Sequence, residues 1–76
     1  MTLTQLENFC AVCRYQNIPR AAEALFVSQP TISTSIRNME KEFNLRLFTH
    51  GRNRITLTND GEAFYQKAEH ILKQTH

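Results

Sequence analysis

The segment from Val27 to Arg37 constrains the fold most, because it fixes where a helix begins and which of its faces is apolar. Ser28 is a residue type that caps a helix by accepting a hydrogen bond from an unpaired backbone N–H. Pro30 follows, and proline is tolerated in the first turn, where no internal helix bond is lost. The apolar residues then recur at steps of four, three and four, at Ile32, Ile36, Met39 and Phe43. The segment therefore predicts an amphipathic helix that starts at Ser28.

The opposite face of this helix carries short polar groups followed by two cations. At about 100° per residue it consists of Pro30, Ser33, Thr34, Arg37 and Lys41. It contains no acid, since the neighbouring glutamates lie on its flanks. Short hydrogen-bonding groups near the N-terminus and cations further along suit a DNA major groove, where small groups reach base edges and cations contact phosphates. The alternative is an ordinary solvated helix face.

Length and charge narrow the class of protein. Seventy-six residues make one small domain, and a hydrophobic content of 41% with two glycines and two prolines argues against disorder. The net charge of +2 is small, but residues 46–58 hold three arginines, one histidine and no acid. Such a local basic segment favours a nucleic-acid partner more than the net charge does. Since no apolar run is long enough to cross a membrane and no leader pattern opens the chain, we expect a cytoplasmic protein with no membrane partner.

The first sixteen residues predict a helix whose apolar face contains two cysteines. Either Thr2 or Thr4 is a suitable N-terminal cap. The apolar stripe consists of Leu3, Leu6, Phe9, Cys10 and Cys13. The Cys-x-x-Cys spacing raises redox or metal chemistry as an alternative, but a reactive pair usually sits at a helix N-terminus, and zinc needs a second Cys/His pair. We therefore predict two buried structural thiols.

A second helix is predicted immediately before the segment described first. Asn17 is a suitable cap, Pro19 lies in the first turn, and the small residues Ala21 and Ala22 allow a neighbouring helix to cross closely. Two helices joined by so short a connection are typical of a helix-turn-helix, although helical hairpins of non-binding proteins share the pattern. In a helix-turn-helix, Arg20 would lie near backbone phosphates.

A β-hairpin is predicted after Asn44, which is a residue type that tolerates the left-handed conformation at a helix C-terminus. Apolar residues alternate with polar ones on both sides of residues 50–54, at Leu45, Leu47, Ile55 and Leu57. The tip of this hairpin is basic, as expected of a wing that contacts phosphates or a minor groove. The alternative is an exposed basic turn without a partner.

The last predicted helix begins at Thr58, with Asp60 and Glu62 near its positive N-terminal end. Its apolar stripe consists of Phe64, Tyr65, Ala68, Ile71 and Leu72. Residues 58–76 would span roughly 28 Å as a helix. A helix from a second copy is the simplest cover for this stripe, and packing onto the chain's own small core is the alternative. Because the chain ends inside the pattern, we expect a fragment of a longer protein.

These residues together resemble the N-terminal domain of LysR-type transcriptional regulators. The resemblance is carried by Thr4-Gln5-Leu6, Phe9, Val12, Ala21-Ala22, Leu25, Ser28-Gln29-Pro30, Ser33, Ile36, Met39-Glu40, Leu47-Phe48 and Leu57-Thr58 with Gly61. It implies a mainly α fold, a winged helix-turn-helix with a three-helix core, over residues 1–58. The helix-turn-helix would occupy about 18–37 and the wing about 46–57. Residues 59–76 would be a dimerising linker helix, followed in the full-length protein by an effector-binding domain that this chain lacks.

The resemblance also implies roles for single residues. The family's recognition segment is matched by Ser28, Gln29, Pro30, Thr31 and Ser33. Gln29 is the expected base reader, since a side-chain amide pairs bidentately with adenine. Thr31 offers a methyl group to thymine and a hydroxyl to a base or phosphate.

Four positions depart from the family pattern. Thr34 stands where the family often has an arginine, so one strong DNA contact is missing or replaced. His50 replaces the arginine of Leu-Phe-x-Arg, which weakens a wing contact or makes it depend on pH. Asn17 replaces a small serine and Asn44 a glycine, and both remain competent caps.

We therefore predict the DNA-binding domain of a bacterial transcription regulator that binds an interrupted inverted repeat as a homodimer. The predicted DNA-binding residues are Arg20, Ser28, Gln29, Pro30, Thr31, Ser33, Thr34, Arg37, His50, Arg52 and Arg54. The predicted dimer contact is the stripe of the last helix. We expect a tetramer in the full-length protein, a small-molecule effector only for the missing domain, and no cofactor, metal or catalytic residues. The alternatives are a protein-interaction winged helix and a thiol redox sensor.

Overall fold

The computed structural model describes residues 1–51 and 54–75. In that part of the chain three helices precede a two-stranded antiparallel hairpin and a fourth helix follows it. The elements are α1 (Leu3–Tyr15), α2 (Ile18–Leu25), α3 (Gln29–Phe43), β1 (Phe48–Gly51), β2 (Arg54–Leu57) and α4 (Asn59–Thr75). This is the mainly helical architecture that the sequence predicts. Among the helices of the described part, none is long and apolar enough to cross a membrane.

The helix starts lie where the capping residues place them. The Thr2 hydroxyl accepts from the N–H of Gln5 at 3.1 Å, and the Gln5 side chain accepts from the N–H of Thr2 at 2.9 Å. This reciprocal capping box selects Thr2 over Thr4. Asn17 Oδ1 likewise accepts from the N–H of Arg20 at 2.8 Å. Asn44 ends α3 in the left-handed conformation, with φ of 53°, as predicted.

The core is built around Phe9 in the middle of α1, which is completely buried. Its ring centroid lies 5.4 Å from that of Phe48 and 5.2 Å from that of Phe64, so three elements meet on one side chain. Leu3, the first member of the predicted apolar stripe, is 48% exposed. Leu3 is the first residue of its helix and lies beyond the edge of the core.

The hairpin starts three residues later than the alternation of apolar residues predicts, at Phe48 rather than Leu45. Phe48 pairs with Leu57, and Thr49 pairs with Thr56 through hydroxyls 2.7 Å apart. Leu45 and Leu47 therefore precede β1 and are not part of the pleat, although Leu47 is fully buried. The side chain of Leu47 belongs to the loop that joins α3 to the hairpin.

Candidate nucleic-acid interface

The turn between α2 and α3 is as short as the helix-turn-helix prediction requires. Ala21 and Ala22 are buried, which allows the two helices to approach closely. Phe26 ends α2 in the left-handed conformation with φ of 59°, and the N–H of Val27 donates to the carbonyl of Ala22 at 3.0 Å. The chain then enters α3 at Ser28, so the start of α3 is held at the surface.

The first turn of α3 contains a hydrogen-bonded cap and two exposed side chains. The Ser28 hydroxyl accepts from the N–H of Thr31 at 3.3 Å and lies 2.7 Å from the Thr31 hydroxyl. The two hydroxyls therefore pair within the cap, and Thr31 remains exposed. Gln29 and Pro30 are exposed on the same turn.

The outer face of α3 has the polarity that the sequence predicts. Thr34, Arg37 and Lys41 are exposed and Ser33 is half-buried. The inward face contributes Ile32, Ser35, Ile36 and Met39 to the buried side. Because no acid is exposed between Gln29 and Arg37, a polyanion can approach this half of the helix without like-charge repulsion.

Other predicted DNA-binding residues lie around α3. Arg20 is exposed in the first turn of α2, and its backbone N–H is engaged by the Asn17 cap. His50 and Arg54 lie on the two strands of the hairpin, which pair in the register His50 to Ile55 and Gly51 to Arg54. The side chains of His50 and Arg54, and all of Arg52, lie outside the described residues.

A junction at Leu47, which sequence reasoning missed, joins α3, the hairpin and α4. Glu40 Oε2 accepts from the N–H of Leu47 at 2.8 Å and from the N–H of Phe48 at 3.4 Å. On the other side, the carbonyl of Leu47 accepts from the N–H of Thr58 at 3.0 Å. The Thr58 hydroxyl donates to the carbonyl of Arg46 and accepts from the N–H of Gly61. One short loop is therefore fixed to the recognition helix and to α4 at once.

Gly61 explains part of this arrangement. A Cβ atom at this position would lie 2.0 Å from the carbonyl oxygen of Leu47 and 2.9 Å from Cδ2 of Leu57. Glycine is therefore required by the close approach of α4 to the loop. The sequence contained the signal, in Met39-Glu40 and in Leu57-Thr58 with Gly61, but nothing in it showed that these motifs meet.

The apolar stripe of α4 is divided between the core and the surface. The sequence assigned Phe64, Tyr65, Ala68, Ile71 and Leu72 to the contact with a second copy. Four of them contact the chain's own core, although Phe64, Tyr65 and Leu72 are only partly buried there. Ala68 is 1% exposed in the single chain, and its part in the contact with a second copy stays a prediction. Ile71 is 44% exposed and faces outward.

Both cysteines are buried, as predicted. Burial, with a smaller contribution from Glu69, raises the pKa of the Cys10 thiol to about 11. Burial also raises the pKa of Cys13 well above its usual range, reinforced by Cys10. Neither thiol is disposed to act as a nucleophile, because the thiolate is the reactive form. Among residues 1–51 and 54–75, no three Cys, His, Asp or Glu side chains are grouped to hold a metal ion.

The family that matches this chain and the relatives that are similar to it are all described as regulatory proteins or transcriptional regulators. Residues 3–62 match the family described as "Bacterial regulatory helix-turn-helix protein, lysR family". The HTH-type transcriptional regulator BudR of Klebsiella aerogenes is 43% identical over 72 residues, covering 95% of this chain and 50% of that protein. The probable RuBisCO transcriptional regulator of Phaeodactylum tricornutum (strain CCAP 1055/1) is 41% identical over 71 residues, covering 93% of this chain and 23% of that protein.

The fold also matches a solved protein–DNA complex. The chain superposes on the structure described as "BenM_DBD/benA site 1 DNA Complex" with a TM-score of 0.94 at 35% identity. The match covers 99% of this chain and 87% of that one. The chain spans about a quarter of the length of most curated relatives that it matches.

Proposed function

We propose that this chain, which belongs to the lysR family of bacterial regulatory helix-turn-helix proteins, is the DNA-binding domain of a transcription regulator. The observation that carries the proposal is the exposed, acid-free outer face of α3, whose N-terminal turn is held at the surface. The likeness to the BenM_DBD–DNA complex supports it. In the proposed complex α3 lies in a major groove and the hairpin reaches an adjacent minor groove.

The residues divide into base readers and phosphate contacts. Gln29 reads one base pair through a bidentate contact with adenine, and the methyl group of Thr31 packs on a thymine methyl. Arg20 and Arg37 contact phosphates, which positions the domain without reading sequence. Ser28 acts mainly through the cap that orients this turn.

Further members of the proposed interface complete these two groups. They are Pro30, Ser33 and Thr34 on α3, with His50, Arg52 and Arg54 on the wing. Pro30, Ser33 and Thr34 line the same groove as Gln29. The wing residues supply the basic charge of the hairpin.

The proposed assembly is a homodimer that binds an interrupted inverted repeat in an operator or promoter. The outward side of α4, with Ile71 at its centre and the half-buried Phe64, Tyr65 and Leu72 at its edge, supplies the contact. In this proposal residues 1–58 bind DNA and 59–76 form the linker helix. The full-length protein is a cytoplasmic tetramer with an effector-binding domain for a small molecule, and it has no enzymatic activity.

The experiment is selection of binding sites from a pool of genomic fragments, followed by fluorescence anisotropy at several salt concentrations. The proposal predicts enrichment of an inverted repeat and an affinity that falls steeply with salt, because bound cations release counterions from phosphates. A folded chain, verified by circular dichroism, that binds no DNA at low salt would contradict the proposal. That result would favour a winged helix that binds another protein.

A further inference from the structure

An open cleft of about 300 Å³ lies between the C-terminal half of α3 and the loop that leads to the hairpin. It is lined by Arg37, Glu40, Lys41, Asn44, Leu45 and Arg46. Three cations thus surround one cleft, and all three side chains are exposed. Within residues 1–51 and 54–75, none of them forms an ion pair.

The single acid of the cleft is occupied elsewhere. Glu40 directs Oε2 at the backbone N–H groups of Leu47 and Phe48. Its charge is therefore partly offset by the dipoles of these two backbone N–H groups. The cations of the cleft thus outnumber its one acid by three to one.

The backbone around the cleft is fixed before any ligand arrives. The carbonyl of Arg46 accepts the Thr58 hydroxyl, which holds the loop in one position. At the end of α3, the carbonyl of Lys41 accepts from the N–H of Asn44 at 3.3 Å, and that of Glu40 accepts from the N–H of Leu45 at 3.1 Å. Because these terminal carbonyls are engaged, they repel an anion less than free carbonyls would.

We propose that Arg37, Lys41 and Arg46 form a seat for one backbone phosphate of DNA at the edge of the groove that α3 enters. This inference rests on the proposed function and adds Lys41 and Arg46 to the interface. The spacing supports it, because Arg37 lies about 12 Å along α3 from Gln29 at 1.5 Å per residue. That distance is about the width of the major groove, so the cleft lies where the sugar–phosphate backbone borders it.

The seat contributes affinity and register but does not read sequence. Arg37 and Lys41 are one helical turn apart and lie on the same face of α3. Arg46 approaches from the loop, so a phosphate in the cleft is contacted from two elements. Because the junction at Leu47 fixes the loop relative to α3, the seat also fixes where the base of the hairpin stands on the duplex.

The first test is the salt dependence of DNA binding by Lys41→Gln, Arg46→Gln and the double variant. The slope of log affinity against log salt falls by about 0.9 when one phosphate is no longer neutralised, which weakens binding about eight-fold at 0.1 M. The double variant should approach this loss, and each single variant should show part of it, because the remaining cations still contact the phosphate. Lys73→Gln is the matched control, because Lys73 is an exposed cation on a different surface, beside Leu72 on α4. Its slope should equal that of the wild type.

The second test replaces individual DNA phosphates with neutral methylphosphonates. One position should weaken the wild-type complex clearly and weaken the complex of the double variant much less, since most of the contact is already absent there. If the wild type binds DNA and the variants keep its slope, the proposed function stands and the phosphate seat is wrong. If the wild type binds no DNA, both fail. Submillimolar binding of inorganic phosphate alone, lost in Arg46→Gln, would indicate a free-anion site and overturn the proposal.

Discussion

Replacing Gly61 with alanine should stabilise α4 through helix propensity and destabilise the fold through packing. Gly61 lies in the first turn of α4, where alanine is intrinsically more favourable than glycine by about 1 kcal/mol. The added Cβ, however, would lie 2.0 Å from the carbonyl oxygen of Leu47 and 3.0 Å from its carbonyl carbon. Since these are backbone atoms, no rotamer change relieves the contact, and α4 or the loop must move by more than 1 Å.

The unfavourable packing contribution is larger than the favourable contribution from helix propensity. Forcing extra atoms into a packed site costs typically about 1–3 kcal/mol, and a contact with backbone lies at the upper end of that range. The same movement weakens the hydrogen bond from the N–H of Thr58 to Leu47, worth about 1 kcal/mol. Subtracting the gain in propensity leaves a net destabilisation of about 2–3 kcal/mol. For a domain of this size it lowers Tm by about 10–20 °C.

The assay is urea unfolding of wild type, Gly61→Ala and Ala63→Gly, followed by circular dichroism at constant protein concentration. Ala63 is exposed on the same helix, so Ala63→Gly should lose about 1 kcal/mol and calibrates propensity in this setting. Gly61→Ala should lose more than this control, although it changes the sequence in the direction that propensity favours. If Gly61→Ala were as stable as the wild type, the described junction would be refuted.

Three further predictions concern recognition, packing and pH. Gln29→Ala should lose about 1–3 kcal/mol of binding free energy on the selected site and relax the preference at one base pair. Arg52→Ala should weaken binding to all DNA sequences alike. If both variants lost the same affinity on every sequence, Gln29 would not be a base reader. Ser35→Ala should leave stability unchanged or raise it by up to about 1 kcal/mol in thermal unfolding, because the buried Ser35 hydroxyl has no hydrogen-bond partner among the described residues. Since burial raises the pKa of Cys10 to about 11, the unfolded chain loses this proton first as pH rises. Stability should be constant below about pH 9, the ordinary pKa of a thiol, and fall toward pH 11. The stability of Cys10→Ala should fall less steeply, and identical profiles for the two proteins would contradict the burial of this thiol.

The local features of the fold follow from sequence because they depend on neighbours in the chain. Asn17 and Ser28 cap helices through hydrogen bonds that span three residues. The alanines of α2 allow close packing because of their small side chains, a property of the residue type alone. The amphipathic pattern of α3 likewise specifies which side is buried. Predictions of this kind are confirmed because no distant residue competes with them.

The features that the sequence did not predict depend on contacts between distant segments. Leu47 was assigned to the hairpin by alternation, but a carboxylate seven residues earlier in the chain and a threonine eleven residues later hold its backbone in the loop. Ala68 belongs to the apolar stripe of α4 by sequence, and only the packing of α4 on the rest of the core buries it.

The central claim, that the outer face of α3 contacts DNA, is tested most directly by the amide NMR spectrum of the ¹⁵N-labelled chain during titration with a duplex carrying the selected repeat. We expect the largest shifts from Gln29 to Arg37, with further shifts at Arg20 and in the hairpin, and small shifts at Ala11 on α1. Shifts that cluster on α1 and α4 while residues 29–37 remain unchanged would contradict the claim.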